Sequence, residues 1–149
     1  AVGLFVEAAN AGNTSAMAQV ADILMTDALG VQDFEEARRW LRRAADAGRT
    51  SALVALARSY VTTQNAEQAV SVYREAAALG SIDSMVELAR AYSVGLGVER
   101  DVEKAQEWLT RATDAGGADP RTMELIARGY LTPDADAGDI KKGIDLLAR

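Results

Sequence analysis

The stretch Ala44-Ala45-Asp46-Ala47-Gly48-Arg49-Thr50-Ser51-Ala52-Leu53-Val54-Ala55-Leu56-Ala57-Arg58-Ser59-Tyr60 ends one apolar run on a glycine and opens the next within four residues. The same arrangement occurs three more times. Ala8 to Gly12 reads Ala-Ala-Asn-Ala-Gly, Ala76 to Gly80 reads Ala-Ala-Ala-Leu-Gly, and Ala112 to Gly116 carries Thr113 in place of the second alanine. The glycines lie 36, 32 and 36 residues apart, a period that marks a repeat architecture. A second column follows each glycine: Ala16-x-x-x-Val20-Ala21-x-x-Leu24, Ala52-x-x-x-Leu56-Ala57-x-x-Tyr60, Ser84-x-x-x-Leu88-Ala89-x-x-Tyr92 and Thr122-x-x-x-Ile126-Ala127-x-x-Tyr130. Offsets of four, five and eight put one apolar stripe along one helix face.

Each unit therefore reads as helix A, loop, helix B and glycine turn. Helix A starts at Asn13, Arg49, Ser81 and Asp119, three of which are good N-caps, with Thr50 the substitute for Arg49. Pro120 stands where a first-turn proline is tolerated. Helix B starts near Asp33, Asn65, Asp101 and Asp139. Acids fill its first turn (Glu35, Glu36, Glu103) and arginines its last (Arg42, Arg43, Arg111), which complements the helix dipole. The closing glycine is expected in the left-handed conformation. The units fall at 13–48, 49–80, 81–118 and 119–149, after a partial helix in 1–12. Length changes fall in the connections: Tyr60 to Asn65 is four residues shorter than Tyr92 to Asp101, and the turn after Gly116 is longer than its counterpart after Gly80. Such insertions are what a solenoid tolerates, and about four helix pairs are expected. The chain starts and stops inside repeats, so a longer array is expected.

Composition agrees with this and excludes much else. Thirty of 149 residues are alanine, the best helix former, and only two are proline. There is no cysteine and no histidine, which removes disulfides, zinc sites of the usual kind, and serine–histidine or cysteine–histidine catalysis. A net charge of −6 without a basic run argues against nucleic acid. No apolar run approaches the roughly 18–20 residues of a membrane span, so no membrane insertion is expected. Gly95-Leu96-Gly97 leads into a helix begun by Asp101, not into a phosphate-cradling loop on a strand. Glu35 and Glu36 are adjacent on an exposed helix start, and no carboxylate spacing points to an acid–base dyad. The expectation is a non-enzymatic protein with no cofactor and no metal.

The third unit carries Tyr92-x-x-Gly95-x-Gly97-Val98-x-x-Asp101-x-x-Lys104-Ala105-x-x-Trp108-x-x-x-Ala112-x-x-x-Gly116. This closely resembles the Sel-one-like repeat, a relative of the tetratricopeptide repeat. The run from Asp33 through Ala37, Trp40, Ala44, Ala45 and Gly48 resembles the same family's helix B. The loop departs from the pattern in the other units: Asp27 and Leu29 replace the paired glycines in the first, the second has lost the loop, and the fourth has Pro133-Asp134-Ala135-Asp136-Ala137-Gly138. The resemblance implies an all-α, right-handed superhelix of antiparallel helix pairs that binds proteins or peptides. In bacteria such proteins often serve in the periplasm or envelope, including exopolysaccharide secretion. The periplasm is thus the expected compartment, with the cytoplasm as the alternative.

In stacked pairs of this kind helix A is expected to line the concave face. Asp22, Arg58, Arg90 and Arg128 share a column pointing away from the apolar stripe, and Ala18, Val54, Val86 and Glu124 share a neighbouring one. Arginines in register would suit a carboxylate-bearing peptide or, as the second hypothesis, an acidic glycan or peptidoglycan. The competing structural reading pairs Glu124 with Arg128 and Glu87 with Arg90 as ordinary surface ion pairs. A third reading is a spacer whose ends matter more than its groove. Trp40 and Trp108 share one position, matched by Val72 and Leu146, and are read as packing residues rather than a sugar platform. Tyr60, Tyr92 and Tyr130 are read as core, and Ala37, Ala69, Ala105 and Gly143 as a small-residue column that lets helices approach. Asp134, Asp136, Asp139 and Asp145 have a faint calcium-loop spacing. Gly138 and Asp139 are transposed relative to an EF-hand, however, and the last position lacks its Glu.

Overall fold

A computed structural model describes residues 2–26, 32–116, 120, 124, 127 and 137–148. Among these residues the secondary structure is entirely helical: α1 (Val2–Asn10), α2 (Thr14–Met25), α3 (Phe34–Asp46), α4 (Thr50–Thr62), α5 (Ala66–Ala78), α6 (Ile82–Val94), α7 (Val102–Asp114) and α8 (Ala137–Leu147). The chain divides into two compact units, Ala1–Leu79 and Gly80–Arg149. In the first, α1 packs on α2, α2 on α3, α3 on α4 and α4 on α5; in the second, α6 packs on α7.

The helix starts follow the capping chemistry in four places. Oδ1 of Asn13 accepts from the Ala16 amide at 3.0 Å, and Oδ1 of Asp33 from the Glu36 amide at 2.9 Å. Oγ of Ser81 accepts from the Ser84 amide at 3.3 Å, and Oδ1 of Asp101 from the Lys104 amide at 3.0 Å. The starts of α4 and α5 have no side-chain cap, and Thr50, the expected substitute for Arg49, lies inside α4. Arg49 occupies the cap position of α4 without capping, and its guanidinium instead donates to Ser15 Oγ at 2.7 Å. Asn65 turns back, its Nδ2 donating to the Thr63 carbonyl at 3.2 Å and hydroxyl at 3.0 Å. The last helix begins at Ala137, two residues before Asp139, so Asp139 lies within its first turn instead of ahead of it. Asp119 lies outside the described residues.

Both kinds of connection close on backbone hydrogen bonds. At the end of α3, Gly48 has a φ of 91°, which allows its own amide to reach the Ala45 carbonyl at 2.8 Å and that of Arg49 to reach Ala44 at 3.0 Å. Between helices A and B the loops differ in length, yet the same bond recurs. The amides of Asp33, Asn65 and Asp101 donate to the carbonyls of Leu24, Tyr60 and Tyr92 at 3.0, 2.8 and 2.9 Å. In the shortened loop this requires Gln64 to take a φ of 60°, the only non-glycine positive φ among the described residues.

The core sits along the alanine columns. Ala21, Ala57, Ala89 and Ala127 of helix A, and Ala37, Ala44, Ala76, Ala105 and Ala112 of helix B, are fully inaccessible, and Ala69 nearly so. Leu41, Leu53 and Leu88 fill the space beside them. Among the described residues, one charged side chain shares this interior. Arg38 of α3 is 8 % exposed and spans to the end of α4. Its Nε donates to Ser59 Oγ at 3.3 Å, and its Nη2 to the Ser59 carbonyl at 3.4 Å and Thr63 Oγ1 at 2.5 Å. Its Nη1 pairs with Glu35, and the guanidinium lies 4.4 Å from the Tyr60 ring centroid. The cation thus meets the partial negative charge at a helix C-terminus, with every side of its fork occupied.

Three outcomes follow from these contacts. Arg38→Ala should lower the unfolding free energy by about 2 kcal/mol, since it strands buried acceptors, whereas exposed Arg39→Ala should stay within about 0.5 kcal/mol. Chemical denaturation distinguishes the two. Gln64→Gly should stabilise by about 0.5–1 kcal/mol by relieving the left-handed conformation of a residue with a Cβ. Gly48→Ala should cost about 1 kcal/mol, from backbone conformation alone, because nothing lies within 4 Å of a Cβ built there.

A fourth outcome concerns pH. A side-chain bond from Lys104, with Nζ 2.8 Å from Oδ2, holds the Asp101 carboxyl below its usual value of 3.8. A carboxyl lowered on folding adds stability above its unfolded pKa and loses it as pH falls through the folded one. The melting-temperature advantage of the native chain over Asp101→Asn, which keeps a capping oxygen, should therefore vanish below that pH.

Candidate partner-binding face

The outward faces of the A helices follow from the burial of their inner stripe. In α2, Val20 and Ala21 are buried, which leaves Ser15, Gln19 and Asp22 exposed; in α4, Leu56 and Ala57 are buried and Ser51 and Arg58 exposed. Neither the Asp22 carboxylate nor the Arg58 guanidinium has a partner among the described residues. The two helices are neighbours, joined by the bond from Arg49 to Ser15 and both packed on α3.

The other expected site residues behave differently. Val54, expected on the face, is 7 % exposed and belongs to the core: four residues before Arg58, it lies about 40° around the helix from it, enough to be covered by the helices on which α4 packs. In the second unit Val86 is half-buried, and so is Arg90, whose Nε and Nη2 both bond Oε2 of Glu87, at 2.9 and 2.7 Å. That is the intrahelical ion pair the spacing allowed, and it occupies the guanidinium. Glu124 is helical, exposed and already engaged in an interaction. Arg128 lies outside the described residues, as do Tyr130, Asp134 and Asp136.

The tryptophans are positioned by helix B and closed off by it. Trp40 is buried, and the guanidinium of Arg43 lies 4.5 Å from its ring centroid; Arg111 lies 4.8 Å from the half-buried Trp108 in the same register. An arginine three residues on covers each ring, occupying the place a sugar would need. Tyr92 is buried at 7 % exposure, and Tyr60 is half-buried beneath Arg38. Ion pairs between Arg42 and Glu75 (2.7 Å) and between Lys142 and Glu103 join B helices within each unit. The residue that sequence reasoning passed over is Arg38. Its column carries Val70, Gln106 and Ile144 in the other units, and only Val70 is buried, so the spacing gave no clear sign that Arg38 would be covered.

No group of three or more Asp or Glu among the described residues is placed to hold a metal ion, and no described helix is long and apolar enough to cross a membrane. What the geometry offers is surface for recognition, which defines a helical-repeat protein built from antiparallel pairs. The Sel1 repeat model matches residues 14–48, 53–81 and 82–117, and the chain belongs to the Sel1 repeat family. Members are generally non-catalytic scaffolds for protein interactions. Two solved structures share the fold. A Sel1 repeat protein from Oxalobacter formigenes is 24 % identical with a TM-score of 0.70, the match covering 99 % of this chain and 62 % of that one. The c5321 protective antigen of uropathogenic Escherichia coli strains, described as displaying an SLR fold, is 21 % identical with a TM-score of 0.69, covering 99 % and 35 %. The chain thus spans under two thirds of either relative. No curated protein matches it.

Proposed function

We propose that the chain is a scaffold that captures a peptide segment of a partner protein on its helix A faces, with Arg58 as principal anchor beside Asp22 in the first unit, and Val86, Arg90, Glu124 and Arg128 at the matching positions of the second. The observation that carries this is the exposed, unpartnered guanidinium of Arg58, on the face that packing leaves free. An unpaired guanidinium presents a planar fork that matches a carboxylate and costs little to desolvate beside small side chains. The acidic-glycan alternative has less support. Its polyanion would meet Asp22 in the same column and find Arg90 already neutralised by Glu87, and the tryptophan faces are covered. We further place the scaffold in the periplasm or envelope of a bacterium, within an exopolysaccharide-related complex. The bacterial origin of both solved relatives agrees with this.

Random peptides displayed on phage and selected on the chain should enrich binders. Their affinity, read by fluorescence polarisation, should fall by about tenfold or more when Arg58, Arg90 and Arg128 are changed together to Glu, and stay unchanged with Arg39→Glu on helix B. Binding that survives the triple reversal overturns the assignment of the face. Recovery of the full-length protein with the cytosol overturns the compartment.

A further inference from the structure

We infer that the helix A face of the N-terminal unit reads mixed charge: it takes an extended partner segment bearing one basic and one acidic side chain about three residues apart, the base at Asp22 and the acid at Arg58. This deepens the peptide-scaffold proposal and rests on it.

Asp22 and Arg58 each lie nine residues past the N-cap position of their helices, Asn13 and Arg49, and so occupy one register on two neighbouring helices. Both are exposed, and neither has a partner among the described residues, including each other. The Arg49–Ser15 bond bridges α2 and α4 across the helix on which both pack, and a helix with its side chains is roughly 10–12 Å across, which sets the order of the separation of the two charges. A peptide in the polyproline conformation rises about 3.1 Å per residue and returns a side chain to the same side every third residue, so the two charges match side chains about 9 Å apart along it. Ala18, four residues before Asp22, and Ala55, three before Arg58, are both half-buried, and their short side chains leave room beside each charge.

The comparison with the second unit sharpens the assignment. At the matching position Arg90 is held by Glu87, so its charge is satisfied within its own helix. At position 55, the counterpart of Glu87, α4 has an alanine, and Arg58 is left without an internal counter-ion. A segment of uniform charge gains at one of the two sites and is repelled at the other, whereas a mixed segment gains at both. Opposite charges at fixed spacing are how interfaces set register and exclude wrong partners.

The test is phage selection of random peptides on three folded chains: native, Asp22→Arg and Arg58→Asp. Circular dichroism should show unchanged melting, since both positions are exposed. The native chain should enrich peptides with a base and an acid about three positions apart. Asp22→Arg should enrich two acids at that spacing and Arg58→Asp two bases, and a native-selected peptide should bind either variant about tenfold more weakly. Peptides that enrich on all three chains without a charge pair, or with an unchanged one, overturn this inference and leave the scaffold proposal standing. Enrichment on none of them, relative to an unrelated control protein, overturns both.

Discussion

The constraint on which the structure depends is the complete burial of an alanine methyl group at fixed positions of each repeat. At Ala21, Ala57, Ala89 and Ala127 in helix A, and at Ala37, Ala44, Ala76, Ala105 and Ala112 in helix B, there is no accessible surface at all. A methyl group removes little apolar area from water, so these residues contribute modestly by transfer. Their effect is geometric. They let helices approach until the larger side chains beside them, such as Leu41, Leu53 and Leu88, meet at interior density. A larger residue in those columns would push two helices apart at once, because each helix in the first unit's series packs on the one before and the one after.

That closeness fixes where the chain turns. The amide leading into helix B returns to one carbonyl, that of Leu24, Tyr60 or Tyr92, whether the loop is long or clipped. The loop is the dependent variable. Where residues are few, Gln64 accepts a left-handed backbone; where they are many, Gly95 and Gly97 supply the positive φ and Arg100 bonds back to the Ser93 carbonyl at 3.1 Å. Close packing also sorts the charges. With the inner columns filled by methyl groups, acids and bases go to the outer faces of the helices, where they pair locally or across neighbours. Arg38 is the exception and shows what is required for one: three oxygens at the end of α4, a carboxylate on its own helix and an aromatic ring beneath it.

Most of the architecture was legible because it is carried by periodicity, which is a property of sequence. The glycine turns, the apolar columns and the caps at Asn13, Asp33, Ser81 and Asp101 all formed as their residue types dictate. What was not legible depends on competition in space. Asn65 is a good cap by type, but the clipped loop puts Thr63 within its reach and the amide turns there. Val54 shares a column with residues expected on the surface. Whether such a position is covered depends on how far the neighbouring helix leans over it, which no spacing records. Arg38 has the residue type of an exposed position and a mixed column, with Val70 buried and Gln106 and Ile144 exposed, so only the oxygens of another helix decide that it is covered.

The same reasoning separates the arginines of the candidate face. Counting by column treats Arg58 and Arg90 as equivalent, and the helix positions are equivalent. Their chemistry differs because of a single neighbour: Glu87 on one helix, Ala55 on the other. In a quasi-one-dimensional array each repeat keeps its fold through the buried columns, so an outward residue can change without disturbing them. Recognition is then written in which outward charges lack a local counter-ion, not in how many charges the face carries. By that criterion, among the described helix A residues, Asp22, Arg58 and Asp83 lack a side-chain counter-ion; Asp83 sits in the first turn of α6, where the helix dipole favours an acid, while Asp22 and Arg58, opposite in sign, share one register a repeat apart. On the proposed reading, a partner that satisfied only one of these two would leave the other facing a like or absent charge, so the pair, and not either residue alone, would discriminate between partners.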